Sequence, residues 1–268
     1  MPLDAVWLPF LVKLLAAVIV VVAASLAAER VGPYVAALIA ALPVSAGPAY
    51  VMLALQNGDP FIAASALHSF ATNIATCLFA LTLVHLGPRV GLIANLLAAF
   101  AAWLAAVAVV QALEWNALAA ALANVAAFAL CLPLTRQADY GARPKALPRR
   151  WYDLPMRALL VGLLVAAVAT AGRSIGPAAT GIAAVFPISL TTLVLVVRPR
   201  LGGAALALAM ASVLRAMIGF AAAALLLHLT AVPLGRWPAL ALALAVSLGW
   251  SATLLIRQHR LARLRAAV

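Results

Sequence analysis

Arg215 lies near the middle of an apolar run spanning residues 202–229. An arginine at that depth in a bilayer costs roughly 2.5–3.5 kcal/mol to insert, so it must face a helix bundle or a wet cavity and hold a partner. No Asp or Glu falls inside any apolar run of the chain, which leaves carbonyls, hydroxyls, a loop carboxylate or an anionic ligand as the partner. An anionic ligand would make Arg215 a binding residue; snorkelling or local hydrogen bonding would make it structural. His68 poses the same choice, because a lone imidazole among apolar residues needs a bonded partner or a functional role. It sits in a polar stripe: Ser65, His68, Thr72 and Thr76 recur every three or four residues and share a helix face, with Ser69 and Asn73 beside them. Small hydroxyls also glue membrane helices together, typically for under ~1–2 kcal/mol each, and that is the plainer account of the stripe.

Two Pro-x-Ser elements complete the candidates, Pro43-Val44-Ser45 and Pro187-Ile188-Ser189. A proline in mid-helix removes a backbone hydrogen bond and leaves carbonyls free in a medium without water. Gly47-Pro48 follows the first element and Thr191-Thr192 the second. In transporters built from inverted repeats, paired interruptions of this kind form the substrate site. Structurally, Pro and Gly are common in membrane helices, and neighbouring hydroxyls repair the lost bonds. The expected substrate-binding set is Pro43, Ser45, His68, Thr72, Asn73, Pro187, Ser189, Thr191, Thr192 and Arg215. Signatures of catalysis are absent: there is no HExxH, no GxSxG and no phosphate-binding glycine loop, and the histidines are scattered at 68, 85, 228 and 259. No catalytic residue, metal or cofactor is expected. Cys77 and Cys131 fall inside apolar stretches and read as small hydrophobic packers.

The elements that position these residues are membrane helices. The chain is 68% hydrophobic and 9% charged, with a mean hydropathy of +1.16, far from the makeup of a soluble domain. Apolar stretches of about 20 residues follow one another, as a bilayer core about 30 Å thick requires, and nothing alternates as a barrel strand would. Helices are expected at 6–28, 33–56, 60–86, 90–111, 115–134, 155–172, 177–197, 202–229 and 237–256, punctuated by Gly and Pro. The first is read as a span, not a signal peptide, because no Lys or Arg precedes Lys13 and its counterpart at 156–172 cannot be a signal. The net charge of +12 reflects loops and tail, not a nucleic-acid surface. With nine helices, Arg30, Arg89, Arg198, Arg200, the basic residues of the 135–153 loop and those of the C-terminal tail fall on one side; the other has Arg173 and Arg236. That bias places the N-terminus outside and the C-terminus in the cytoplasm. The basic, amphipathic tail from Arg257 to Arg265 reads as a topology anchor near anionic headgroups.

An offset of 144 residues lays Glu29–Ser45 on Arg173–Ser189 without a gap, matching Gly32, Pro33, Ala40, Pro43 and Ser45 with Gly176, Pro177, Ala184, Pro187 and Ser189. The same offset pairs Lys13 with Arg157, Gly58 with Gly202 and Gly91 with Gly235. Residues 1–112 and 155–268 are therefore expected to be two four-helix repeats, joined by a connector helix and basic cytoplasmic loop at 113–154. One connector between even-numbered halves forces the second into the membrane from the opposite side, so the repeats must be inverted. Each half resembles the GlpM-like family of small four-helix bacterial membrane proteins. The likeness rests on Lys13, Ala37-Leu38-Ile39-Ala40-Ala41-Leu42-Pro43-Val44-Ser45, Gly58-Asp59, Ser65 and Ser69; the second half keeps Pro187-Ile188-Ser189 but lacks the Gly-Asp pair. It implies a fold and a bacterial inner membrane more than a function.

The expected protein is an all-α, polytopic bundle acting as a secondary transporter or permease for a small anionic or amphipathic solute, with membrane lipids around it. Two alternatives stand beside it. A membrane enzyme acting on a lipid or isoprenoid head group would need carboxylates or histidines clustered at one interface, where Asp59 and Glu114 are the only nearby pair; a non-transporting structural or regulatory protein would bind partners through the long basic loop.

Overall fold

A computed structural model describes residues 46–135 and 152–266, together with Leu15, Val18 and Ile19. The described residues form helices α1 (Ala46–Gln56), α2 (Asp59–Leu86), α3 (Leu92–Gln111), α4 (Ala117–Leu134), α5 (Asp153–Ala184), α6 (Ile188–Leu234) and α7 (Arg236–Ala266), with no strand among them. Ala and Leu dominate, and a helix satisfies its own backbone where water cannot. Six stretches are long and apolar enough to cross a bilayer: Asp59–Leu86, Leu92–Gln111, Ala117–Leu134, Pro155–Gly172, Ser174–Leu234 and Arg236–Arg257. The chain is a multi-pass helical membrane protein by that measure.

The helix starts follow local chemistry. Pro60 opens α2 after Gly58, where its missing N–H costs nothing. Asn116 caps α4 by accepting the Ala119 N–H at 2.8 Å. Gly176, Gly202 and Gly235 take φ of 78°, 83° and 83° with extended ψ, a region essentially closed to other residues. Two of these glycines interrupt α5 and α6 from within, and the third separates α6 from α7.

These boundaries modify the nine-helix expectation: seven helices are described, two of them interrupted. The expected helix at 6–28, apart from Leu15, Val18 and Ile19, and the first part of 33–56 lie outside the described residues, with Pro43 and Ser45. The expected span 177–197 is not one kinked helix. It breaks fully at Val185–Pro187, between α5 and α6, because Pro187 has no N–H to continue the ladder. The C-terminal anchor is a continuation of α7, helical to Ala266.

Packing centres on α2, which touches α3, α4 and α5 and packs most extensively against α6. The second part of α6 runs antiparallel to α2: Asp59 meets Arg236, the Ala63 carbonyl meets His228, and Gly87 meets Gly203. A Cβ at Gly203 would stand 2.0 Å from the Gly87 carbonyl oxygen, so bare backbones cross there. The buried face of this crossing is apolar and includes Phe70, Phe79, Leu83, Leu206, Met210 and Leu214. By contrast α3 and α4 expose Ile93, Leu97, Leu118, Leu122 and Val125, a surface suited to lipid. Charges gather at the two ends of α2. One end holds the Asp59–Arg236 pair at 2.9 Å; at the other, Arg198 donates to the Gly87 and Val90 carbonyls, and Arg200 pairs with Asp153.

Candidate functional site

The polar stripe of α2 lies against the α5–α6 break. At 100° per residue, Ser65, Ser69, Thr72, Thr76 and Phe79 occupy a sector of about 80°, with His68 at its edge. Contacts at both ends of this sector fix what it faces. Ser69 Oγ donates to the Gly181 carbonyl at 2.6 Å. Because that uses its one proton, the Tyr50 hydroxyl 2.7 Å away donates to Ser69. A Cβ at Gly181 would stand 2.2 Å from the Ser65 carbonyl oxygen and 3.0 Å from His68 Cβ, so only glycine permits this approach. At the other end Phe79 meets Phe100 edge-on at 5.1 Å, Phe100 stacks on Phe186 at 5.8 Å, and Trp103 meets Phe186 edge-on at 5.3 Å. One end of the stripe thus meets Gly181 and the other is linked through Phe100 to Phe186 in the break, with Thr72 and Thr76 between.

At the break the ladder is diverted. The Ile188 N–H turns to the Phe186 carbonyl at 2.7 Å, so Ala184 loses its helical donor, and the Phe186 N–H serves Ala183. Thr191 restores part of the order: its N–H and its hydroxyl both reach the Pro187 carbonyl, at 2.9 and 2.8 Å. Thr192 likewise bonds the Ser189 carbonyl at 2.8 Å. Both threonines are therefore taken up in starting α6.

The hydroxyls sort into two groups. Thr82, Thr191, Ser212, Thr230 and Ser251 donate to the carbonyl four residues back, and Thr135, Ser174, Thr192 and Thr253 to the one three back. That back-bonding is the usual fate of a hydroxyl in a membrane helix. Ser65, Thr72, Thr76 and Ser189 depart from it: all are buried, and none of their oxygens has a partner among the described residues. Trp103 Nε1, buried against Phe186, is also unpartnered there. An unpaired buried polar group costs of order 1–3 kcal/mol, so five of them around one helix break call for water or a polar ligand.

The other expected site residues go elsewhere. Asn73 turns to α4: its Nδ2 donates to Asn124 Oδ1 at 2.9 Å, while Asn124 Nδ2 donates to the Phe70 carbonyl at 2.8 Å. Arg215 is half-buried, its Nε donates to the Ala211 carbonyl at 3.2 Å, and its own carbonyl accepts from Trp250 Nε1 at 2.8 Å. Trp250 lies on α7, so its indole ties the backbone of α6 at Arg215 to that helix. Asp59 is held by Arg236, while Glu114 is exposed, and no cluster of metal-ligating side chains occurs among the described residues. Sequence reasoning did not single out Tyr50, Trp103, Gly181 or Phe186, because nothing in their spacing shows that they meet the stripe. Comparison with family models, curated proteins and solved structures finds none similar to this chain.

Proposed function

We propose that the chain is a secondary transporter or permease of the bacterial inner membrane for a small amphipathic or anionic solute, bound where the α2 stripe faces the α5–α6 break. The observation that carries this reading is the set of buried hydroxyls held off their usual back-bonds beside a proline-broken helix. Interrupted helices near the midplane are where transporters of this kind bind substrate. The amphipathic half of the reading has the better support. Phe79, Phe100, Trp103 and Phe186 offer an apolar wall next to hydroxyl oxygens and an indole N–H.

The inverted duplication belongs to the same proposal. What supports it is that Gly58 and Gly91 immediately precede α2 and α3, just as Gly202 and Gly235 immediately precede the second part of α6 and α7, 144 residues later. The antiparallel crossing of α2 and α6 is the relation an inversion requires of equivalent helices. The likeness to GlpM-like proteins bears on the fold alone. Uptake of a panel of labelled small amphipathic and anionic solutes into liposomes holding the purified chain tests the function. Thr72→Val with Thr76→Val should lower uptake at least about tenfold, as two lost hydrogen bonds predict, while Thr82→Val leaves it unchanged. Equal uptake by all three proteins would remove the stripe from the site.

A further inference from the structure

We infer that the turn between α2 and α3 is a phosphate-binding site, built from the N-terminus of α3, the Asn95 amide and the Arg198 guanidinium, and separate from the hydroxyl stripe. The helix α3 starts at Leu92 behind an extended Gly91, and no side chain caps that start. Asn95 is the first residue whose N–H the helix satisfies from within, donating to the Gly91 carbonyl at 3.0 Å. The N–H groups of Leu92, Ile93 and Ala94 are therefore the orphans of the first turn. Gly91, Ile93 and Ala94 are exposed, and the open N–H groups carry the positive end of the helix dipole.

Arg198 brings a full positive charge to the same place. It reaches from α6 to the turn, where Nη1 donates to the Gly87 carbonyl and Nη2 to the carbonyl of Val90, the residue before the helix cap. Arg89, exposed on the turn, donates to the His85 carbonyl. No carboxylate pairs with either arginine among the described residues, and Asp153 is taken by Arg200. A cation set against the positive end of a helix and held by neutral carbonyls is a charge without a counter-ion. Asn95 gives a second, independent sign of a missing partner. It is fully buried, and neither Nδ2 nor Oδ1 has a hydrogen bond among the described residues. Helical side chains lean toward the N-terminus, and Nδ2 lies 3.7 Å from where a Cβ on Gly87 would stand, so the amide faces the turn that Arg198 holds.

The donors select the anion. Arg198 spends an N–H of each terminal nitrogen on a carbonyl, so the paired fork that grips a flat carboxylate is partly used. Its remaining N–H groups, the orphan helix N–H groups and the amide come from different elements, and a tetrahedral phosphate offers acceptor oxygens in several directions at once. Two sources present that group at a membrane surface, the head group of an anionic phospholipid and free phosphate.

Thermal unfolding of the full chain in detergent tests the site, with inorganic phosphate in one arm and phosphatidylglycerol in the other. The controls are sodium chloride of equal ionic strength and phosphatidylcholine. Stabilisation should saturate and exceed its control in at least one arm. A response to inorganic phosphate marks a site for the free anion; a response to phosphatidylglycerol alone marks a head-group site. Arg198→Gln should weaken the apparent affinity at least about tenfold, as loss of a hydrogen bond to a charged group predicts. Arg257→Gln with Arg260→Gln, on the basic end of α7, should leave it unchanged. Asn95→Leu separates binding from folding and serves alone if Arg198→Gln does not fold. Replacing an unpaired buried amide by an apolar side chain of similar size should leave the melting temperature in chloride equal or higher, while the phosphate or phosphatidylglycerol response weakens by a similar factor. Stabilisation no greater than the chloride and phosphatidylcholine controls overturns the site, as does an undiminished response in Asn95→Leu or in folded Arg198→Gln.

Discussion

At the scale of single residues, what distinguishes one hydroxyl or glycine from another is what stands opposite it. Ser69 joins three elements, because one oxygen accepts from Tyr50 on α1 and donates to Gly181 on α5. Ser69→Ala should therefore cost about 1–2 kcal/mol in thermal unfolding in detergent, more than a back-bonded Thr230→Val. Gly181 permits the approach of the Ser65 backbone, and overpacking a tight contact costs typically 1–3 kcal/mol. Gly181→Ala should lower the melting temperature by that measure, whereas Gly91→Ala, with open space around it, should not. Equal melting of the two glycine variants would mean that α2 and α5 do not touch there. The stripe itself was legible from its spacing, since residues three and four apart share a helix face. Which of its hydroxyls stay unpartnered was not, because that depends on carbonyls far off in sequence. Arg215 shows the same gap: its depth was readable, the Trp250 bond to its carbonyl was not.

At the scale of elements, most helix boundaries were written in Gly and Pro. The expected 60–86 and 237–256 agree with α2 and the start of α7 to within a residue, because Gly58-Asp59-Pro60 and Gly235 are punctuation with a physical mechanism. Pro187 marks an interruption in the sequence; that the helix breaks fully over Val185–Pro187, with Phe186 packed on Phe100 and Trp103 of α3, is not visible there. What joins α4 to the bundle was not visible in its own sequence, where Asn124 is one polar residue in an apolar run. Its bonds to Asn73 and to the Phe70 carbonyl make it the polar tie between α2 and α4. A double-mutant cycle with Asn73→Leu and Asn124→Leu should give a coupling of about 0.6–1.7 kcal/mol, the range for hydrogen bonds between membrane helices. Additive losses would show that the two amides do not act as a pair.

At the scale of the whole molecule, hydropathy made the class plain, and six described stretches are long and apolar enough to cross a bilayer. The antiparallel crossing of α2 and α6 has its charges divided between two ends, the Asp59–Arg236 pair at one and Arg198 and Arg200 at the other. With Arg89, Arg198 and Arg200 at one end of α2 and Arg236 with Asp59 at the other, a reporter fused to the C-terminus should read cytoplasmic and one at the N-terminus external. Reporters on the same side would contradict the odd helix count. The central claim is that the α2 stripe faces a polar, ligand-accessible space at the helix break and not a dry core. Single cysteines at Thr72, Thr76 and Ala80, in a background with Cys77→Ala and Cys131→Ala, measure this through their rate of modification by a small, water-soluble, membrane-impermeant thiol reagent. Thr72→Cys and Thr76→Cys should react, and slow when a transported solute is present, while Ala80→Cys, buried further along the same helix, stays inert. Equal inertness at all three positions would mean that the unpartnered hydroxyls are sealed in the core, and would contradict a binding site there.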